Sequence, residues 1–497
     1  MTKLDAWKIG GAALLLCVAT AICAQAQRFV SLVDFDGTNG EAPEYMSLVQ
    51  GIDGNFYGTT GGGGANCPAS YGCGTVFKVT ADGTAIKTLY SFCSLANCAD
   101  GNFPIAGLTL GTDGNFYGTT YWGGGTGTSC PFGCGTIFKM TPGGRLATLH
   151  SFCSETNCPD GYFPWAGLMQ ATNGNFYGTT LYGGLGAGDG TVFEITPEGA
   201  FKTVYSFCSK PNCTDGQQPY AGLVQANDGN LYGTTYTGGS STAGTLYRMT
   251  LGGKLTTVYT FCSQANCADG GEPHAGLMQG SDGNLYGTAS QGGLSEYGTV
   301  FGVMLSGQLA IVASFAGSDG TGAASALIQA TNGTIYGTAP GGGDYSSGTV
   351  FYPNFGGITT VYNFCSQANC ADGAYPYGGL FQATNGTIYG TTGAGGAGCG
   401  GQGLVMGCGT VFGLYDNLAP FIKTLPTAAK VGSEVGILGN NLTAATGVNF
   451  NGTPAKFSTH SSTLILTRVP AGASTGTIQV TLPGKTLSSN VPFIVIP

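Results

Sequence analysis

The side chains of this sequence whose spacing most plainly points to chemistry are its cysteines. Of the 18 present, Cys17 and Cys23 lie in an apolar N-terminal stretch and the others fall into close pairs. Five pairs share the spacing Cys-Ser-x-x-Asn-Cys: Cys93 and Cys98, Cys153 and Cys158, Cys208 and Cys213, Cys262 and Cys267, Cys365 and Cys370. Three more sit in a different kind of loop: Cys67 and Cys73, Cys130 and Cys134, Cys399 and Cys408. Zinc needs four convergent ligands, whereas these pairs are strung out along the chain, so no metal site is expected. An even count behind a leader points to local disulfides formed in an oxidising compartment. Loops this short are worth roughly 2 kcal/mol each on the chain-entropy model, so they staple loops and do not hold a fold together.

Acid–base chemistry has little to work with. Histidine occurs only as His150, His274 and His460. Serine-triad, zinc-hydrolase, phosphate-loop and dinucleotide signatures are missing. A glycosidase needs two carboxylates in matched positions, and the carboxylates outside the repeats (Glu41, Glu44, Glu155, Asp189, Glu272, Glu296, Asp344) are scattered. Glu272 with His274 is the least implausible acid and base for a polysaccharide-acting enzyme. No catalytic residue and no cofactor is therefore expected. The recurring Asp-Gly at Asp100, Asp160, Asp215, Asp269, Asp319 and Asp372 reads as turn chemistry, because no Asp-x-Asp-x-Asp-Gly run supplies the ligand density calcium wants.

Aromatic residues are the better candidates. A proline recurs at Pro104, Pro164, Pro219, Pro273 and Pro376, and the residue after it varies: Ile105, Trp165, Tyr220, His274 and Tyr377, with Tyr45 nearby in the first copy and Ala324 at the equivalent place in the sixth. A fixed backbone with changing, mostly aromatic side chains is what a stacking site for sugars or peptides uses. A second cluster, Tyr121, Trp122, Tyr182 and Tyr236, lies in loops that would extend such a surface. The competing reading is that these rings pack between neighbouring elements as core filler.

The elements that hold these residues are repeats. Tyr-Gly-Thr-(Thr/Ala) occurs at Tyr57, Tyr117, Tyr177, Tyr232, Tyr286, Tyr336 and Tyr389, each followed by Gly-Thr-(Val/Ile/Leu)-(Phe/Tyr), with anchors 50 to 60 residues apart. That period fits one propeller blade per copy, and this number of copies closes a ring. Each copy reads as four β-rich runs, A to D, separated by Asp-Gly or Gly-Gly turns, which predicts a four-stranded antiparallel meander. The last copy lacks its D strand, and residues 29–35 supply the missing sequence from the N-terminus. A borrowed strand removes the open edge a linear stack would leave. All cysteine pairs lie in B–C or D–A links, so one face carries the long loops and the other only tight turns. Strand A should be innermost, placing the variable ring around the mouth of the central channel.

From Leu418 the pattern changes to short alternating strands: Gly432-Ser-Glu-Val-Gly-Ile-Leu-Gly439, Val448-Asn-Phe-Asn-Gly452 and Gly476-Thr-Ile-Gln-Val-Thr481, indicating a small sandwich. These residues resemble the IPT/TIG immunoglobulin-like family, which implies an extracellular spacer or partner-docking module. Residues 28–414, with the phrase Asp-Gly-Asn-(Leu/Phe)-Tyr-Gly-Thr-Thr, resemble the bacterial choice-of-anchor GloVer tandem-repeat family; that resemblance implies a secreted or surface-exposed repeat protein and no site residues.

The expected fold is all-β: a seven-bladed β-propeller closed by an N-terminal strand, then a small immunoglobulin-like β-sandwich. The expected divisions are a secretory signal at 1–26, ending in Ala24-Gln25-Ala26, the propeller at 27–416 and the sandwich at 417–497. The apolar run is shorter than the ~20 residues a span needs, and no membrane span is expected in the mature chain. Charged residues make up 8% and the formal balance is −9, which argues against nucleic acid as a partner. The expectation is a secreted or cell-surface protein that binds an extracellular glycan or protein without catalysis; a polysaccharide hydrolase or lyase, or a purely structural surface protein, are the alternatives.

Overall fold

The computed structural model describes residues 28–66, 73–125, 130–186, 188–354, 357–399 and 407–496. The leader and Cys67 lie outside the described residues. Among the described residues, seven four-stranded antiparallel sheets follow one another as blades. Blade 1 is Val49–Gln50, Phe56–Thr60, Thr75–Val79 and Ile86–Ser91, and the later blades repeat this order. Blade 7 combines Phe381–Gln382, Ile388–Thr392 and Thr410–Tyr415 with the N-terminal strand Arg28–Asp34. That closing strand pairs antiparallel from Arg28 opposite Tyr415 to Asp34 opposite Thr410. The ring is closed as the repeat count requires.

Each residue of the repeated phrase has a distinct physical task. The tyrosine donates its hydroxyl to the aspartate of the preceding turn, as in Tyr57 to Asp53 at 2.9 Å and Tyr117 to Asp113 at 2.8 Å. Its ring packs on the next blade, Tyr117 against Phe176 at 3.9 Å between centroids. The glycine makes room: a Cβ on Gly58 would come within 2.6 Å of the Phe77 ring, which belongs to the Gly-Thr-Val-Phe half of the motif. The first threonine laces one blade to the next, Thr59 donating to the Ala106 carbonyl at 2.7 Å and Thr391 to the Pro43 carbonyl at 2.9 Å across the closing seam. The second bonds strand C of its own blade, Thr60 to Thr75 at 2.9 Å. Buried hydroxyls are satisfied in pairs, which is why threonine recurs where valine would otherwise serve.

Two seams depart from the rule: Thr234 and Thr288 carry buried hydroxyls with no hydrogen-bond partner, as does Tyr247. Tyr247 stands where Phe77, Phe138, Phe193, Phe301, Phe351 and Phe412 stand in the other blades. Its fully buried hydroxyl abuts Gly233. Replacing Tyr247 by Phe is expected to stabilise the protein by about 1 kcal/mol, because an unsatisfied buried hydroxyl is removed at no cost in packing. Calorimetry should then read a melting temperature higher by roughly 2 °C; a lower one would mean the hydroxyl is satisfied.

The recurring Asp-Gly aspartates are structural. Asp100 is buried and accepts from the Ser94 amide at 2.9 Å, the Leu95 amide at 3.1 Å and the Tyr90 hydroxyl at 2.8 Å, tying each cysteine loop to strand D. In blade 2, His150 replaces that tyrosine and reaches Asp160 at 2.9 Å, which accounts for it as a structural residue. Among the described residues seven disulfides are present, each joining the two near neighbours expected: 93–98, 130–134, 153–158, 208–213, 262–267, 365–370 and 399–408. Peptide mapping without reduction is expected to return these local pairs; a crosslink between blades would overturn the loop-staple argument.

The C-terminal sandwich has one sheet of Lys423–Leu425, Glu434–Leu438, Leu464–Arg468 and Phe457–Thr459, and another of Thr453–Ala455, Gly447–Phe450, Ile478–Leu482 and Lys485–Ser488. Val435, Ile437, Phe450, Ile465, Ile478 and Val480 fill its core. It is packed onto the tight-turn face. Leu438 and Leu464 join the apolar cluster of Leu110 and Ile52, Thr463 donates to the Ile52 carbonyl at 2.8 Å, and Asn440 donates to Thr384 at 2.7 Å. Lys423 donates to the Gln382 carbonyl at 2.6 Å and lies 3.9 Å from the centre of the Phe381 ring; burial pushes its ammonium down to about 7.

This docking is written into one break in the repeat. At the end of strand A, a glutamine accepts from a turn amide of the preceding blade, as Gln170 does from Thr112 at 2.9 Å and Gln225 from Thr172 at 2.9 Å. The series continues through Gln279, Gln329 and Gln382, and Gln50 closes it by accepting from Thr384 at 3.1 Å. Blade 2 alone has an apolar residue here, Leu110. There the glutamine latch is replaced by contact with the sandwich.

Candidate functional site

The predicted ring of variable residues converges on the propeller axis. Tyr45, Trp165, Tyr220, His274, Ala324 and Tyr377 all line one axial cavity of 340 Å³ whose walls are the A strands. The rings touch one another across the channel. Tyr45 lies 5.1 Å from Trp165 and 4.9 Å from Tyr377, Trp165 lies 5.4 Å from Tyr220, and Tyr220 lies 4.6 Å from His274. Tyr45 and Trp165 also reach His274, each at 6.1 Å. Ile105 is the exception, buried at 1% exposure near Gly61 and not part of the cavity wall. The other five aromatic side chains are half-buried, and none belongs to an apolar core between blades.

The second predicted cluster is continuous with the first. Tyr121 meets Trp165 at 5.4 Å, and Tyr236 meets Tyr220 at 5.0 Å. Trp122 lies against Tyr121 at 5.4 Å, and Tyr182 is stacked on Tyr162 at 5.5 Å.

A further set of residues supports the outer cluster, and sequence reasoning missed it. The residue before each recurring proline is left-handed although it is not glycine: Ala42, Phe103, Phe163, Gln218, Glu272 and Tyr375 have φ between 51° and 59°. A bulky side chain in that region, next to a proline that disfavours it, is strained. Two backbone hydrogen bonds hold it there: Phe163 donates its amide to Cys134 at 2.9 Å and its carbonyl accepts from Leu181 at 3.1 Å, and the other copies do the same. Two of the strained side chains pack among the rings of the outer cluster. Phe103 stacks on Trp122 at 4.8 Å and Phe163 on Tyr121 at 4.6 Å. The available signal was a residue of changing type beside an unchanging proline.

Electrostatics disfavour Glu272 and His274 as an acid–base couple. The Glu272 carboxylate accepts from the Tyr236 hydroxyl and the Gln291 amide, both at 2.6 Å, and makes no hydrogen bond to His274 among the described residues. Burial pushes the His274 imidazole down to about 4, so it is neutral at pH 7. Burial also raises the Tyr45, Tyr220 and Tyr377 hydroxyls above their ordinary value. The rings on the axis are themselves uncharged, and their hydroxyls remain protonated. Three cysteine-containing groups, such as Asp189 with Cys208 and Cys213, gather potential metal donors, but their sulfurs are committed to disulfides.

The profile of the Gloeobacter/Verrucomicrobia repeat matches residues 68–267 and 262–453, and that of the IPT/TIG domain matches residues 420–495. None of the curated proteins matches. Among solved structures, a fungal alcohol oxidase of the AA5 family, in complex with copper, is 13% identical; the superposition covers 94% of this chain and 100% of that one with a TM-score of 0.51. The extracellular domain of a protein described as a hybrid two component system, from B. thetaiotaomicron, is 12% identical, covering 89% and 52% at 0.45. TolB from Acinetobacter baumannii is 13% identical, covering 58% and 57% at 0.33. The likeness to the oxidase is one of fold.

Proposed function

This chain belongs to the Gloeobacter/Verrucomicrobia repeat family, and from that premise we propose that it is an extracellular binding protein that recognises a glycan or protein ligand without transforming it. The proposed site is the loop-rich face of the ring, centred on Tyr45, Trp165, Tyr220, His274 and Tyr377 and extended by Tyr121, Trp122, Tyr182 and Tyr236. Residues 27–416 form the recognition ring in this reading, 417–497 the sandwich and 1–26 a cleaved leader. The supporting observation is a continuous aromatic surface that is half-exposed, outside the blade cores and held by strained, doubly hydrogen-bonded backbone. Flat rings of this kind offer contact area with little side-chain entropy to lose. Disulfides in nearly every blade, and no helix among the described residues long and apolar enough to cross a membrane, fit an extracellular setting. A glycan array probed with the folded protein, followed by calorimetry and product analysis, tests the reading. Saturable binding with the oligosaccharide recovered intact is expected; shortened products would transfer the site to an enzyme.

A further inference from the structure

The two faces of the ring differ sharply in charge. The B–C and D–A loops together hold fourteen carboxylates and a single cation, Lys210. Lysines on the strands pair instead near the opposite face, Lys78 with Asp53 at 2.7 Å and Lys139 with Asp113 at 2.8 Å. Most loop carboxylates are engaged: Asp100 and its repeats hold the cysteine loops, and Glu272 holds Tyr236 and Gln291.

Glu44 is not engaged. Blade 1 has one residue more than blade 2 between its proline (Pro43, Pro104) and strand A, and Glu44 occupies the added length beside Tyr45. Its side chain lies against Gly393, where a Cβ would come within 2.8 Å of the Glu44 Cγ and 2.9 Å of Oε1. Blades 2, 3 and 4 have Tyr121, Leu181 and Tyr236 at the position of Gly393, so the glycine supplies the space. The Glu44 carboxylate has no ion pair and no hydrogen bond among the described residues. It is half-buried, and burial raises its pKa. In blades 2 and 4 the ring at the position of Gly393 meets the axial cluster, Tyr121 against Trp165 at 5.4 Å and Tyr236 against Tyr220 at 5.0 Å, so the side chain that takes this space in blade 7 stands at the rim of the cluster, next to Tyr45 and its neighbour Tyr377. A carboxylate so placed, among aromatic faces and without a counter-ion, is a receptor for an organic cation.

Resting on the glycan reading above, we propose that the axial site takes a saccharide bearing a free, protonated amine, with the ammonium group between Glu44 and the Tyr45 and Tyr377 rings. The pyranose face then lies on the ring system that continues through Trp165 and Tyr121. Calorimetry with a glucosamine tetramer and with its fully N-acetylated counterpart tests this. The wild-type protein should bind the free amine at least tenfold more tightly, and Glu44→Gln, which keeps the shape of the side chain, should bring the two to within about twofold without lowering the melting temperature. Equal binding of both tetramers by the wild type, or an undiminished preference in E44Q, overturns the ammonium site while leaving a glycan site in place. Binding of neither tetramer overturns the ammonium site as well. If, in addition, Trp165→Ala changes no affinity across a glycan array, the glycan reading fails with it. Tighter binding of an oligolysine peptide than of the glucosamine tetramer assigns the cage to protein side chains and equally overturns the proposal.

Discussion

Deletion of residues 28–34 is expected to lower or broaden the melting transition of the ring and to make it self-associate. The strand covers the outer edge of blade 7 along its full length, from the Arg28–Tyr415 pair to the Asp34–Thr410 pair. It is also anchored sideways, with Phe29 stacked on Tyr362 at 3.7 Å and on Phe412 at 5.3 Å and Leu32 and Val33 packed into the cluster of Phe35 and Val411. Loss of one such phenylalanine costs about 3–5 kcal/mol, and the whole strand on the order of 5 kcal/mol or more. The exposed edge at Thr410–Tyr415 would then be free to pair with another chain. Calorimetry and size-exclusion chromatography should show a lowered or broadened transition and new oligomers. An unchanged transition and a monomeric profile would mean that the ring is not held by this strand.

Alanine at Trp165 or Tyr220 is expected to separate binding from stability. Each ring contacts other rings of the axial cluster and is absent from the cores between blades. Truncation should weaken ligand affinity by about 1 kcal/mol or more, at least fivefold. Phe138→Ala, by contrast, removes a fully buried side chain, and about 3–5 kcal/mol of stability is expected to go with it. Paired titrations and melts on the three variants check this. If Trp165→Ala and Tyr220→Ala lower the melting temperature as Phe138→Ala does and leave affinity unchanged, the cluster is packing and recognition lies further out, at Tyr121, Trp122, Tyr182 and Tyr236.

The ring and its closure were legible because they rest on periodicity. The phrase around Tyr57 and Tyr117 recurs with its turn, and an absent D strand in the last copy has one complement in the chain, residues 29–35. Short disulfide loops were legible for the same reason. The docking of the sandwich was not, because it depends on single residues that break the pattern, Leu110 in place of glutamine and Ile52 beside it, whose significance appears only when Leu438 and Leu464 are brought against them. At the axis, the type of each ring could be read from alignment of the copies, and the outward continuation through Tyr121 and Tyr236 was anticipated. The contribution of Phe103 and Phe163 could not be, since a left-handed residue before proline runs against local preference and is imposed by hydrogen bonds to two blades. Glu44 was one scattered carboxylate among several until its neighbour across the seam, Gly393, came into view.

The pairing of Arg28–Asp34 with Thr410–Tyr415 also sets a timetable. The first strand to be made is the last to find its partner. At about 5–20 residues per second, synthesis keeps it waiting on the order of 20–80 s, and non-local pairing is slow even once both strands exist. The intervening blades have no such wait. Blades 1 to 6 are each built from contiguous residues, and each bridge spans only 4 to 9 positions, so a blade can fold and oxidise as soon as it emerges. Each bridge can therefore form before the ring closes, while Arg28–Asp34 stays unpaired until the final blade arrives.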